Sequence, residues 1–326
     1  MLDHTVVIAI GGNALIKDTE HRDLGSQYTA LGEITPHIAT LESAGWRVAI
    51  GHGNGPQVGF ALRRSEIAAT EVPPESLDVS GADTQGWIGY FLQQNIHNSL
   101  RAIGSQSSAV TVITQVEVDP ADPGFQNPSK PIGAFMDKEE AMRRRAEGWS
   151  VMEDANRGWR RAVPSPMPLR IVEEAAIATL LAAGAVVITV GGGGIPVVRD
   201  ARGALHGVAA VIDKDRSCAL LANRLGAEAL VICTGVERIA LDFGKPNQMW
   251  VDHLTLSQAK QYLAEGRHFA QGSMAPKVEA VIRYLEQGGA RAIITDIPHI
   301  ERALSGEAGT HITRTSRDPR LKAEAW

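Results

Sequence analysis

Residues that could bind and move a phosphate stand together between Ala185 and Asp215, in the run AVVITVGGGGIPVVRDARGALHGVAAVIDKD. Gly191 to Gly194 follow a β-branched stretch, Ala185 to Val190, at the point where a strand would leave its sheet. Four glycines leave backbone N–H groups uncovered, so an anion can approach where a Cβ would block it. Asp213, Lys214 and Asp215 then put a cation between two carboxylates, ahead of apolar residues (Cys218, Leu221, Ala222, Leu225) spaced like one face of a helix. This combination points to phosphate chemistry.

Two further loops have the same character. Thr5 to Ile10 reads as a strand running into Gly11, Gly12, Asn13 and Ala14. Arg47 to Ile50 reads as another, leading into GHGNGPQVG, Gly51 to Gly59, where Pro56 opens a helix behind Gly53, Asn54 and Gly55. Proline at a helix start with glycines upstream presents bare N–H groups to an anion. None of the loops is a P-loop or a GxGxxG fingerprint, because the spacings differ. The cations expected in the cleft are Lys130, Lys214 and Lys277, each beside a proline, an aspartate or a helix start. Asp213 and Asp215 can orient Lys214, and either can also cap a helix. His52 is expected to pack its loop rather than act as a base. No His and Cys grouping has metal-ligand spacing, so no metal site of the chain's own is expected, and Cys218 and Cys233 read as core residues.

These loops need a scaffold that brings them to one edge. Strands alternating with helices predict an α/β chain, a three-layer αβα sandwich around a mostly parallel open sheet. Ligands bind beyond the carboxyl ends of such strands, so the loops after Ile10, Ile50 and Val190 should share a cleft. Further strands are expected at Ser108 to Val116, Ala229 to Cys233 and Arg291 to Thr295. Helices are expected from Thr35 to Gly45 with Pro36 in the first turn, Ser80 to Arg101, Leu169 to Ala183, Leu256 to Gly266, Pro276 to Gln287 with Lys277 near its start, and Ile297 to Leu304. From Glu117 to Pro168 the alternation breaks and prolines accumulate, which predicts a protruding inserted subdomain or lid, with Phe125, Phe135, Trp149 and Trp159 as its small core. Thr313 to Trp326 is charged and aperiodic, so a frayed tail is expected.

A chain of 326 residues can bury a large core, and a net charge of -5 with a pI near 6.1 gives no footprint for nucleic acid. Two cysteines cannot build a disulfide framework, and the opening residues carry no positively charged leader, so a reducing cytoplasm is expected. Ala175 to Val198 lacks any charge and is long enough to span a bilayer. Gly184, the four glycines and Pro196 divide it, so it reads as helix, turn, strand and loop, and no membrane partner is expected.

Beyond these features, the chain resembles the carbamate kinases of the amino acid kinase superfamily. The motifs that carry the resemblance are VIAIGGNAL (Val7 to Leu15), HGNGPQVG (His52 to Gly59), GADTQGWIGY (Gly81 to Tyr90), FQNPSKPIG (Phe125 to Gly133) and NRGWRRAVPSP (Asn156 to Pro166), followed by GGGGIPV, AVIDKD, FGKPNQ and HFAQGSMAPKVEA. They run in order from about Val6 to Ile312. The resemblance implies a reversible reaction, ATP + carbamate giving ADP + carbamoyl phosphate, with Mg²⁺, mostly toward ATP in a catabolic pathway such as arginine breakdown. It also implies a homodimer. Residues 1–222 would form the carbamate lobe, with the inserted subdomain at about 117–168; residues 223–316 would form the nucleotide lobe and 317–326 the tail.

Carried over by the same resemblance, Gly11, Gly12, Asn13, Gly53, Asn54 and Gly55 would bind the acceptor, and Lys130 would reach in from the subdomain to close on the carbamoyl end. Lys214 and Lys277 would bridge the transferred phosphoryl, with Asp215 holding the lysines. Gly191, Gly192, Thr234, Gly235, Val236, Phe243, Met274 and Lys277 would contact the nucleotide. Three departures stand out: Thr234-Gly235-Val236 where some members read Thr-Asp, Asp83-Thr84 where the family usually has Met-Ser, and Pro36 interrupting what is usually one unbroken helix. Alternatives on the same fold are another small acidic acceptor or a non-catalytic binding relative.

Overall fold

An eight-stranded sheet forms the spine of the computed structural model, which describes residues 4–12, 15–16, 21–154, 157–270 and 272–315. Its strand order is His253–Thr255, Thr310–Thr313, Arg291–Thr295, Ala229–Cys233, Thr5–Ile10, Arg47–His52, Val186–Ile188, Ala109–Thr111. All neighbours pair in parallel except Arg291–Thr295 with Thr310–Thr313. Both faces are buried, which is why Thr5–Ile10 and Ala229–Cys233 are continuously apolar or small apart from Thr5. Alternate side chains feed two cores. Val6, Ile8 and Ile10 pack with the helices Leu24–Ser43 and Leu77–Ala102, whereas Val7 and Ala9 pack with Lys214–Leu225 and Met274–Glu286. The αβα sandwich expected from the sequence is the architecture observed. Strands from the first part of the chain form one half of the sheet and strands from the last part the other, with Thr5–Ile10 next to the junction. The loops after Ile10, His52, Ile188, Cys233 and Thr295 therefore leave from one edge.

Several local expectations are corrected. Pro36 does not begin a helix; it lies inside the unbroken helix Leu24–Ser43. The missing N–H leaves the Gly32 carbonyl without its usual donor, and the Thr35 hydroxyl approaches that oxygen at 3.4 Å. The strand expected from Ser108 to Val116 is two strands in different sheets, Ala109–Thr111 and Gln115–Val118, because the chain crosses from the main sheet into a four-stranded one. That smaller sheet has the order Leu205–Gly207, Ile195–Arg199, Gln115–Val118, Pro168–Ile171. The helix expected from Leu169 accordingly starts only at Glu174. The segment 175–198 is divided between helix, strand, glycine turn and strand, and no described helix is long and apolar enough to cross a membrane.

The insert folds as three strands, ordered Lys130–Met136, Trp159–Val163, Val151–Glu153, with the helix Lys138–Ala146. Its aromatics are not its core. Ile132 and Val163 pack instead against Val58, Leu77 and Val211 of the body. The rings serve as platforms for arginines: Arg144 and Arg161 lie 5.0 and 4.4 Å from the centre of Trp149, and Arg157 lies 5.0 Å from that of Phe135. The subdomain is seated on the helix Gly55–Ala68, where a Cβ on Gly59 would come within 2.2 Å of the Gly133 backbone. Thr313 closes a strand rather than opening a tail, and the tail expected at 317–326 lies outside the described residues.

Candidate active site

Five charged side chains meet at the start of the helix Lys214–Leu225. Asp213 caps it, Oδ1 accepting from the Asp215 N–H at 2.9 Å, while Oδ2 accepts from Lys130 Nζ at 2.6 Å. Cap and ion-pair partner are thus one residue. Asp215 Oδ1 takes Lys214 Nζ, and Oδ2 takes Lys277 Nζ at 2.9 Å. One carboxylate therefore spaces two lysines that come from different helices. Lys130 arrives from the subdomain strand Lys130–Met136, Lys277 from the first turns of Met274–Glu286.

The cluster's charges are set by a contest between burial and pairing. Burial raises the Asp213 carboxyl, but Lys130 and Lys214 outweigh it and hold the pKa well below the usual carboxylate range. Burial acts likewise on Asp215, and Lys214 and Lys277 again bring its pKa down. Lys214 is pulled down by burial, yet Asp215 and Asp213 overcome this and raise its pKa. For Lys277 burial prevails, reinforced by Lys214 and opposed chiefly by Asp215, so its pKa falls below that of an ordinary lysine.

The glycine loops abut around this cluster. Gly191–Gly193 forms a tight turn in which Gly192 has φ 63° and lies so close to Asn54 that a Cβ would sit 2.2 Å from its Nδ2. The turn is tied down by Gln85, whose Nε2 donates to Gly191 O at 2.9 Å, and by the Ser217 hydroxyl, which donates to Gly193 O at 2.6 Å. Val190, just before it, is held at φ 43°, an uncommon conformation for a β-branched residue. Gly12 and Gly53 lie in close contact, joining the first two loops, and Gly53 N donates to Ile10 O at 2.9 Å. Asn54 precedes the helix Gly55–Ala68 without capping it; its Nδ2 instead donates to Thr84 Oγ1 at 2.8 Å. Asn13 lies outside the described residues.

His52 is buried against Gly191, with Nδ1 3.3 Å from Gly53 O, and burial first, then Lys214, push its pKa down to about 4. It is a neutral packing group, as the sequence suggested. Burial raises the Cys218 and Cys233 thiols to about 12, which leaves neither as a nucleophile near neutral pH.

The other expected contacts are more scattered. The Thr234 hydroxyl lies 2.9 Å from Val236 O and accepts from Val236 N at 3.0 Å, and Gly235 faces open space. Met274 begins the Lys277 helix, packed against the core. Phe243 is 66 % exposed, its ring 6.3 Å from that of Trp250. Among the described residues, the hydrogen bonds and ring contact of Thr234, Val236 and Phe243 stay within their own loops and do not involve the lysine cluster. Asp83 faces solvent, while its neighbour Thr84 reaches the glycine loops. Sequence reasoning met Thr84 only as half of the Asp83-Thr84 departure and passed over Gln85 and Arg160; the signals were the polar pair inside GADTQGWIGY and the arginine pair inside NRGWRRAVPSP.

A parallel αβα sheet whose glycine turns and paired lysines converge on one edge defines a phosphotransferase site. The family model of the amino acid kinase family matches residues 4–296, and the chain belongs to that family. Among its relatives, the chain is 48 % identical to carbamate kinase-like protein YahI of Escherichia coli, over 95 % of this chain and 99 % of that one. It is 43 % identical to carbamate kinase of Pyrococcus horikoshii, over 94 % and 98 %. Carbamate kinase from Giardia lamblia, solved with citric acid, superposes with a TM-score of 0.90 at 40 % identity, over 96 % of this chain and 99 % of that chain; solved with AMP-PNP, it gives 0.86 at 40 % identity over the same shares.

Proposed function

We propose that the protein is a carbamate kinase, interconverting ADP + carbamoyl phosphate and ATP + carbamate. The observation that carries this is Asp215 holding Lys214 and Lys277 side by side at the edge where the glycine loops meet. Phosphoryl transfer asks the protein mainly for position and for charge on the equatorial oxygens, which two spaced lysines supply. A terminal oxygen of ADP forms the new bond to phosphorus in line with the breaking bond to the carbamate oxygen. Carbamate leaves as an anion, so no proton has to move. A site without a working base suits this chemistry, and His52 is neutral and buried.

In this reading residues 1–222 hold the acceptor through Gly11, Gly12, Asn13, Gly53, Asn54 and Gly55, and Lys130 closes over it. Residues 223–316 hold the nucleotide through Thr234, Gly235, Val236, Phe243 and Met274, with Gly191 and Gly192 below its phosphates. Asp213 and Asp215 are already paired with lysines, and no described group of three His, Cys, Asp or Glu could hold an ion. Mg²⁺ therefore fits as a companion of the nucleotide phosphates, supplying charge neutralisation there. We place the enzyme in the cytoplasm as a homodimer, making ATP during arginine breakdown, on the strength of its similarity to carbamate kinases.

ATP formation from carbamoyl phosphate, MgADP and purified protein tests the reading, with Lys214→Ala and Lys277→Ala beside it. Turnover that both substitutions reduce by about 100-fold or more supports it. A folded wild type that binds ADP without turnover would favour the second reading, a carbamate kinase-like binding protein.

A further inference from the structure

Arg160 stands in the subdomain strand Trp159–Val163 and is 8 % exposed. Nε donates to Gly133 O at 3.1 Å and Nη1 to Asp154 Oδ2 at 3.0 Å, with the Phe135 ring 5.2 Å from the guanidinium carbon. These contacts fix the plane of the fork. Nη2, in contrast, is buried and has no hydrogen-bond partner. A buried charged donor left open is destabilising, so the contact it lacks is an expected place for a ligand.

Nη2 faces the start of the helix Gly55–Ala68, 3.6 Å from where a Cβ on Gly55 would stand. That end is open. Asn54 gives it no side-chain cap and Pro56 has no N–H, so the amides of Gly55 and Gln57 remain to bind something else. The helix dipole adds positive potential at the same point. Asp154 also accepts from Arg157 at 3.3 Å, so two guanidinium groups share one carboxylate and the locality stays cationic.

We propose that Arg160 is a substrate-binding residue whose Nη2, with the first-turn amides of Gly55–Ala68, holds the carboxylate-type oxygen of the acceptor, away from the phosphoryl end held by Lys214 and Lys277. This deepens the proposed function and rests on it for the identity of the ligand. In carbamoyl phosphate that oxygen is a carbonyl. When the bond from the bridging oxygen to phosphorus breaks, the electron pair stays with carbamate and spreads over both of its oxygens, so negative charge grows beside Arg160. With Nε and Nη1 already bound, Nη2 is held at a fixed point to meet that oxygen, which the flexible stem of a lysine does not provide.

The test compares Arg160→Gln and Arg160→Lys with Arg161→Gln, which removes the neighbouring bridge to Glu66 that also ties the subdomain to the body. Arg160→Gln should lower kcat/KM for carbamoyl phosphate by about tenfold or more, while KM for ADP stays within about twofold; Arg160→Lys should fall between it and wild type. Arg161→Gln should leave kcat/KM for carbamoyl phosphate within about threefold of wild type. An equal loss in Arg160→Gln and Arg161→Gln would mean that Arg160 only anchors the subdomain, and no loss in Arg160→Gln would mean that it binds nothing; either overturns the inference while the proposed function stands. Should wild type show no turnover, heat stabilisation by sulfate decides separately: it is expected in wild type and reduced in Arg160→Gln, and equal stabilisation in both overturns the oxyanion site.

Discussion

Lys130 and Asp213 are 83 residues apart in sequence and close a 2.6 Å ion pair. The pair joins the protruding subdomain to the cap of the helix that begins with Lys214. Because Asp213 has both duties, its Oδ1 toward backbone and its Oδ2 toward Lys130, the position of the subdomain is read directly at the helix that bears Lys214.

Asp213→Asn separates the two duties. Asparagine still caps a helix, so stability should change by less than about 1 kcal/mol. The charge partner of Lys130 is lost, and KM for carbamoyl phosphate should rise several-fold with KM for ADP unchanged. Denaturant unfolding together with both Michaelis constants checks this; a rise in the ADP constant alone would contradict it.

In the proposed reaction Lys277 must carry its charge to stabilise the transferred phosphoryl, and burial lowers its pKa. A group with a depressed lysine pKa loses its proton as pH rises, earlier than an ordinary lysine would. The kcat/KM profile should therefore fall on the alkaline side at a pH below 10.5, the ordinary lysine value. In Lys277→Arg, whose guanidinium stays protonated, that alkaline limb should move upward even if the plateau is lower.

Gly59 and Gly133 meet backbone to backbone, and a methyl on Gly59 would lie within 2.2 Å of Gly133. Gly59→Ala should push the subdomain off its seat and destabilise the protein by about 1–3 kcal/mol. The activity loss should fall on carbamoyl phosphate, since Lys130 moves with the subdomain. Limited proteolysis of the segment 130–163 should speed up in parallel.

Thr84 has one hydroxyl proton, and its Oγ1 lies 2.8 Å from the Gly81 carbonyl, which can only accept. Asn54 must then offer Thr84 its Nδ2, which turns Oδ1 the other way. Thr84→Val removes the acceptor and should cost about 1–3 kcal/mol of stability, measurable as a lower denaturation midpoint. Thr84→Ser should behave like wild type. Equal midpoints in all three would show that the hydrogen bond is not needed.

Much of this organisation was legible from residue order. Buried parallel strands need continuous apolar runs, so Thr5–Ile10 and Ala229–Cys233 stand out, and glycine turns directly after strands mark the ligand edge. The misses share a cause. Pro36 reads locally as a helix start, but the Leu24–Ser43 helix is held by the core that Leu31, Ile34 and Ile38 enter, and tertiary packing outweighs one missing hydrogen bond. Gln115–Val118 is a strand of its own because it pairs with Ile195–Arg199 and Pro168–Ile171, and Pro168–Ile171 because it finds Gln115–Val118; no local pattern announces partners about fifty or more residues away.

The sequence alone determined the αβα class, the glycine loops and the identity of the lysines, because backbone conformation and apolar periodicity are local properties of the chain. Only the tertiary structure decided how those lysines are shared out. Asp215 could have served one lysine, two or none, and Asp213 could have been a cap and nothing more. Distances across 62 and 83 residues assign Lys277 to Asp215 and Lys130 to Asp213. The same holds for Arg160, whose open Nη2 exists only because Gly133 and Asp154 occupy the rest of its fork. Charge and hydrogen-bonding capacity are written in residue types, but which partner satisfies them is a matter of three-dimensional proximity.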